Sequence, residues 1–222
     1  MRRALAVGLV VCGLGAMSWQ WLSDPVSSLR TEQAQSKLLR QVPDAGSGAA
    51  PRAGDSGAAR AASAADAGRT DARGNHSRES GARAADSGAA LAVMRIPRFG
   101  PEWRWAVSEG VSQRVLADGP GHYPGSPLPG ERGNSAYAAH RAGHGDPFID
   151  FDRLRPGDLV HLSQGDTTWT YRLDRRPRIV PTSASWVLDP LPGRRLTLTT
   201  CWPKYGSAKR MYVTGHLVGT TV

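Results

Sequence analysis

Leu196-Thr197-Leu198-Thr199-Thr200-Cys201 runs directly into Trp202 and Pro203. Leucines alternate with threonines at period two, which predicts a β-strand with one buried face. Pro203, lacking an N–H for a ladder, predicts its end. The reading places a thiol where a rigid strand meets a loop, a common position for reactive groups. Most free cysteines, however, are small buried hydrophobes, and composition alone favours that reading here.

Outward from this strand the pattern repeats. Leu91–Ile96, Trp103–Val107, Ser135–Ala139, Leu159–Leu162, Thr167–Leu173, Arg178–Val180 and Met211–Val218 are short apolar or alternating runs. Glycine, proline and turn words such as Gln164-Gly165-Asp166 separate them. With Leu196–Thr200 this predicts an all-β domain of eight strands over residues 91–222, a closed barrel or a sandwich around one core. Helical periodicity is scarce. Pro147 to Leu154, following Asp146, predicts a short helix with proline at its first position.

Two other predicted strands carry groups that a thiol could use. His140 ends Ser135-Ala136-Tyr137-Ala138-Ala139, and Arg210 precedes Met211-Tyr212-Val213. A nucleophilic thiol needs a proton-transfer partner, because the thiolate attacks and the departing amine must be protonated. Acyl transfer also needs a donor for the developing oxyanion, which a guanidinium supplies. Three strand ends can meet on one rim of a barrel; spacing makes the trio suggestive and no more.

The N-terminal part reads differently. Arg2 and Arg3 precede a run from Ala4 to Met17 without a polar side chain, extended to Leu22 by a segment holding Trp19 and Trp21. Such a helix rises about 28 Å, close to the hydrocarbon thickness of a bilayer. The arginines would stay cytoplasmic and everything after Ser23 would lie outside. An uncleaved signal anchor over 1–22 is favoured over a cleaved signal peptide, because no Ala-x-Ala site lies near Ser18 to Ser23. From Val42 to Ala90 the composition collapses to Ala, Gly, Ser, Asp and Arg, too apolar-poor to repay ordering entropy. Residues 23–90 are therefore read as a short juxtamembrane helix over Val26 to Gln41 followed by a flexible tether, with a reach of about 40 Å.

Composition bounds the rest. The 222 residues allow one domain plus appendages. The net charge of +9 is spread along the chain, +3 up to residue 90 and +6 beyond it. No basic run is interleaved with aromatics, so the charge gives little support to nucleic-acid binding. The two cysteines, Cys12 and Cys201, form no CxxC or Cys/His word, which excludes a zinc scaffold. Cys12 lies in the apolar N-terminal run, leaving Cys201 without a disulfide partner.

The residues then carry a specific resemblance. Gly119-Pro120-Gly121-His122-Tyr123-Pro124-Gly125-Ser126-Pro127-Leu128-Pro129-Gly130-Glu131, Gly133-Asn134 and Ala138-Ala139-His140-Arg141-Ala142-Gly143-His144-Gly145 resemble a sortase, especially of class E. Phe148, Leu154-Arg155-Pro156-Gly157-Asp158, the cysteine strand and Arg210 continue the likeness in the same order. The resemblance implies an eight-stranded β-barrel with Cys201 as nucleophile, His140 as general acid/base and Arg210 as oxyanion stabiliser. It implies transpeptidation: cleavage between Thr and Gly of a Leu-Ala-x-Thr-Gly or Leu-Pro-x-Thr-Gly sorting signal on secreted proteins, then transfer to an amine of a lipid II-like cell-wall precursor. Tyr123 matches a substrate-loop tyrosine of class E, and Thr200 is a candidate substrate contact. Ala139 and Ser126 depart from the family's usual glycine and threonine. No metal or organic cofactor is implied.

The remaining histidines and acids have structural readings: His144 as a neighbour of His140, His161 and His216 as strand residues, Asp150 and Asp152 as surface carboxylates. Other cysteine enzymes fit less well. An L,D-transpeptidase expects Ser/Thr-x-Gly-Cys, which Thr199-Thr200-Cys201 lacks, and a papain-like hydrolase places cysteine ahead of histidine. The non-enzymatic alternative is an exported β-barrel that serves as a binding or assembly module.

Overall fold

The computed structural model describes residues 27–42 and 87–222. The apolar stretch before residue 23 and most of the low-complexity segment lie outside the described residues. Among the described residues no helix is long and apolar enough to cross a membrane.

Among the described residues nine strands form one sheet: β1 Ala90–Arg95, β2 Arg104–Glu109, β3 Gly121–His122, β4 Gly133–Ala138, β5 Leu159–Gln164, β6 Thr167–Leu173, β7 Arg178–Val180, β8 Arg194–Trp202 and β9 Lys209–Thr221. The order β6-β5-β1-β2-β3-β4-β8-β9 closes through a β6–β9 pairing into a barrel of eight strands, and β7 pairs with the other end of β9. The fold is mainly β, a closed eight-stranded barrel with few helices. The eighth closing strand is β3, which the sequence reading lacks; β7 stands outside the closure. β3 pairs only two residues, Gly121 and His122, with β2 on one side and β4 on the other, too short a run to show a period.

Alternation fixes which side chains face inward. Leu196 and Leu198 of β8, Tyr137 of β4, Met211 and Val213 of β9 and Tyr171 and Leu173 of β6 enter one core with Met94, Ile96, Val107, Phe148 and Phe151. The segment after Pro147 is a string of turns ending in a 3-10 helix, Phe151–Arg153, rather than an α-helix. Its apolar residues Phe148, Phe151 and Leu154 recur every third position, which is the period of a 3-10 turn, and all three are fully buried.

Residues 27–41 form a helix, α1. Its buried row is Thr31, Gln35, Leu38 and Val42, at helical spacing on one face. A second, one-turn helix, α2, spans Gln113–Leu116, capped by the Ser112 hydroxyl, which accepts from the Val115 N–H. Because β3 is short, β2 and the chain entering β3 diverge above Ser108. Gln35 fills the gap: the Ala106 N–H donates to Gln35 Oε1 at 2.7 Å, and Gln35 Nε2 donates to the Ala106 and Asp118 carbonyls at 3.2 and 2.6 Å.

Candidate active site

Strand register builds the site. β4 and β8 run parallel with Ala138 beside Thr199, so two residues further His140 stands beside Cys201. β8 and β9 run antiparallel with Cys201 directly opposite Arg210. All three lie on the outer face, since Ala139, Leu198 and Met211 occupy the inner one. A single cleft of about 1250 Å³ takes in Cys201, His140 and Arg210 together, bounded by the loops 140–146 and 204–207. The thiol is free and partly accessible.

The remaining two candidate residues sit around this row. Tyr123 follows β3, and its hydroxyl lies 3.0 Å from Thr199 Oγ1, on the same outer face as Cys201. Thr199 in turn donates to the Tyr137 carbonyl at 3.2 Å. Thr200 points the other way. It is buried among the core residues, and its hydroxyl donates to the Ala139 carbonyl at 2.8 Å, which ties the ends of β4 and β8 together. One step along a strand reverses the face. Ala139 is inward too, so its methyl does not enter the cleft. Ser126 holds the Tyr123 loop: its hydroxyl accepts the Ala136 N–H at 3.2 Å and lies 2.8 Å from His122 Nε2. His122 is buried and pairs through Nδ1 with Glu109 at 2.8 Å.

Burial, and secondarily the neighbouring His144, push the His140 pKa below the ordinary histidine value. The two rings stack at 4.7 Å between centroids. His140 Nε2 is buried without a hydrogen-bond partner among the described residues. Buried polar atoms are seldom left so, and an unengaged ring nitrogen is what a proton-transfer group keeps available. Arg210 Nη1 donates to the Ser207 and Lys209 carbonyls at 3.2 Å, which ties the guanidinium to the loop that bounds the cleft. No cluster that could hold a metal ion occurs among the described residues.

A fourth residue escaped the sequence reading. Arg141, only 2% exposed, donates to Asp152 at 2.6 Å and to the Met211 sulfur at 3.2 Å, and lies 5.0 Å from the Trp202 ring centre. Arg141 follows His140, Trp202 follows Cys201 and Met211 follows Arg210. The three successors form one buried clamp beneath the three residues of the cleft. Sequence gave no signal for it beyond adjacency. Asp152, read there as a surface carboxylate, is half exposed and anchors the clamp from outside.

A family model described as a sortase domain matches residues 94–218. Sortases SrtE1 and SrtE2 of Streptomyces coelicolor are 32% and 31% identical over 60% and 64% of this chain. The chain spans 42% and 61% of the lengths of those two relatives. Among solved structures, sortase E from Streptomyces avermitilis is 42% identical with a TM-score of 0.57, over 60% of this chain and 91% of that one. Sortase E1 from Streptomyces coelicolor, solved with a tripeptide in its active site, is 32% identical with a TM-score of 0.54, over 61% of this chain and 92% of that one. With a matching family model that covers more than half of its length, the chain belongs to the sortase family and is class E-like.

Proposed function

We propose that the protein is a cysteine transpeptidase that joins the C-terminal sorting signal of secreted proteins to a cell-wall amine. The observation that carries this reading is the convergence of Cys201, His140 and Arg210, from the ends of three adjacent strands, on one outer face and in one cleft. The likeness to sortases E supports the same assignment.

The chemistry follows from the positions. At neutral pH the depressed pKa leaves the His140 imidazole neutral, so it accepts the proton of the Cys201 thiol as the sulfur attacks the threonine carbonyl of a Leu-Ala-x-Thr-Gly signal. The carbonyl π electrons move onto oxygen, where the fixed Arg210 guanidinium stabilises the oxyanion. Collapse re-forms the carbonyl and breaks the C–N bond to glycine, and His140 returns the proton to the departing amine. A second amine then attacks the thioester carbon and loses a proton to His140; the C–S bond breaks, and the expelled sulfur takes that proton back from His140, which restores the starting pair. The sorting signal lies along the outer face of β8, with Tyr123 and its loop at one side; Thr200 holds the floor. The chain's own residues suffice for each step.

The apolar composition of residues 4–22 supports a reading of the enzyme at a cell membrane, with the cleft outside and a lipid-linked precursor amine as acceptor. α1 is already helical at residue 27, the first described residue, so at most four residues separate the two in sequence, a reach of about 14 Å. The described residues on either side of the low-complexity segment, up to Val42 and from Ser87 on, both belong to the domain. The length of that segment therefore does not set the distance to the membrane.

The test is ligation. Incubating the protein with a fluorescent Leu-Ala-x-Thr-Gly peptide and triglycine, then reading masses, is expected to yield the threonyl–triglycine product. Absence of both ligated and hydrolysed peptide from the folded protein would leave the binding-module reading in its place.

A further inference from the structure

α1 lies outside the region that the family model matches, yet it is built into the cleft. Ser27 and Ser28 of α1 line the same cavity as His140 and Cys201. The helix is fixed there by polar bonds: Thr31 Oγ1 lies 2.9 Å from the Ala117 carbonyl, and the Gln35 amide closes the gap between β2 and the chain entering β3. It also abuts the loop that carries His144. Gly145 has φ +76°, and a Cβ there would stand 3.4 Å from Thr31 Cγ2 and 2.7 Å from the Trp105 ring.

Strand order decides which side of the thiol this wall occupies. Around the rim the sequence is β2, β3, β4, β8, β9, so α1, seated on β2 and the entry to β3, lies on the His140 side, and Arg210 lies on the other. On the transpeptidase reading, His140 protonates the departing amine and deprotonates the incoming one. Both amines must therefore occupy the His140 side of the thioester, facing α1. Among the described residues, what α1 itself contributes to the cavity is Ser27 and Ser28, small polar side chains that suit a primary amine on a slim, polar chain.

We propose that α1 is the amine-side wall of the cleft and selects the acceptor by size after the acyl-enzyme has formed. This rests on the transpeptidase reading. The experiment uses the full chain in detergent micelles with a Leu-Ala-x-Thr-Gly peptide, and compares hydroxylamine, triglycine and valine amide as acceptors. Ser28→Tyr, which fills the wall, is expected to raise the KM for triglycine about tenfold while hydroxylamine changes by less than about threefold. Gln35→Ala, which loosens the helix, is expected to reduce the preference for triglycine over valine amide about fivefold. Acceptor constants within about threefold of wild type in both variants, or acylation and every acceptor constant falling in parallel, would overturn the proposal. Failure of the wild-type protein to form an acyl-enzyme is a different result, and it removes the transpeptidase reading itself.

Discussion

His140 and Arg141 are adjacent in sequence and opposite in role. His140 lines the cleft, its buried Nε2 has no hydrogen-bond partner among the described residues, and burial favours the neutral ring. Because its folded-state pKa lies below the unfolded value near 6.5, the unfolded chain binds the proton first as pH falls. Its contribution to stability is therefore full above about pH 6.5 and is lost as pH drops from there through the depressed value. An NMR titration of the His140 ring is expected to give a pKa below 6.5, and His144→Asn is expected to raise it part of the way back, since burial is the larger cause. A ring titrating above 6.5 would contradict the description. Arg141 faces inward, and its guanidinium relies on Asp152 as its acid partner. Asp152→Asn leaves that buried charge with a neutral acceptor only. Because Asp152 is half exposed, the expected loss is modest, about 1–2 kcal/mol in denaturant unfolding. A positioning role adds a second signature: kcat should fall with little change in peptide KM, because the clamp sets the alignment of the three residues and not the binding face.

At the scale of elements, the pairing of β8 with β4 and β9 creates the site, and α1 completes its wall. Gln35→Ala strands the Ala106 N–H and two carbonyls in a buried gap, with an expected cost of about 1–3 kcal/mol. Hydrogen exchange should show the loss as faster exchange of the Ala106 amide; unchanged protection would show that the gap is closed by other means. What the sequence made legible follows from period. Leu196–Thr200, Thr167–Leu173 and Met211–Val218 carry clear alternation, so their strands, their inner faces and the places of Cys201 and Arg210 could be read directly. β3 could not, because two residues between Pro120 and Tyr123 have no period to show. Nor could the docking of α1: its buried row begins with a threonine and a glutamine, polar residues whose partners, the Ala117 carbonyl for Thr31 and the Ala106 and Asp118 backbone for Gln35, lie far off in sequence. Thr200 illustrates the remaining gap. It neighbours the nucleophile in sequence, but the pleat turns it to the core, whereas Tyr123, distant in sequence, comes to rest on Thr199 of the outer face.

For the molecule as a whole, barrel and helix share one cleft, which Ser27 and Ser28 of α1 help to line. On the proposed function, an acceptor amine would approach from the His140 side and the sorting signal from the outer face of β8. All of this depends on sulfur carrying the acyl group. The most direct measurement is intact-protein mass spectrometry after brief exposure to a Leu-Ala-x-Thr-Gly peptide without added amine. The account predicts a covalent adduct equal in mass to the peptide up to its threonine, labile to hydroxylamine and absent in Cys201→Ala. An adduct of the same mass and yield in Cys201→Ala, or none on folded wild-type protein, would contradict it.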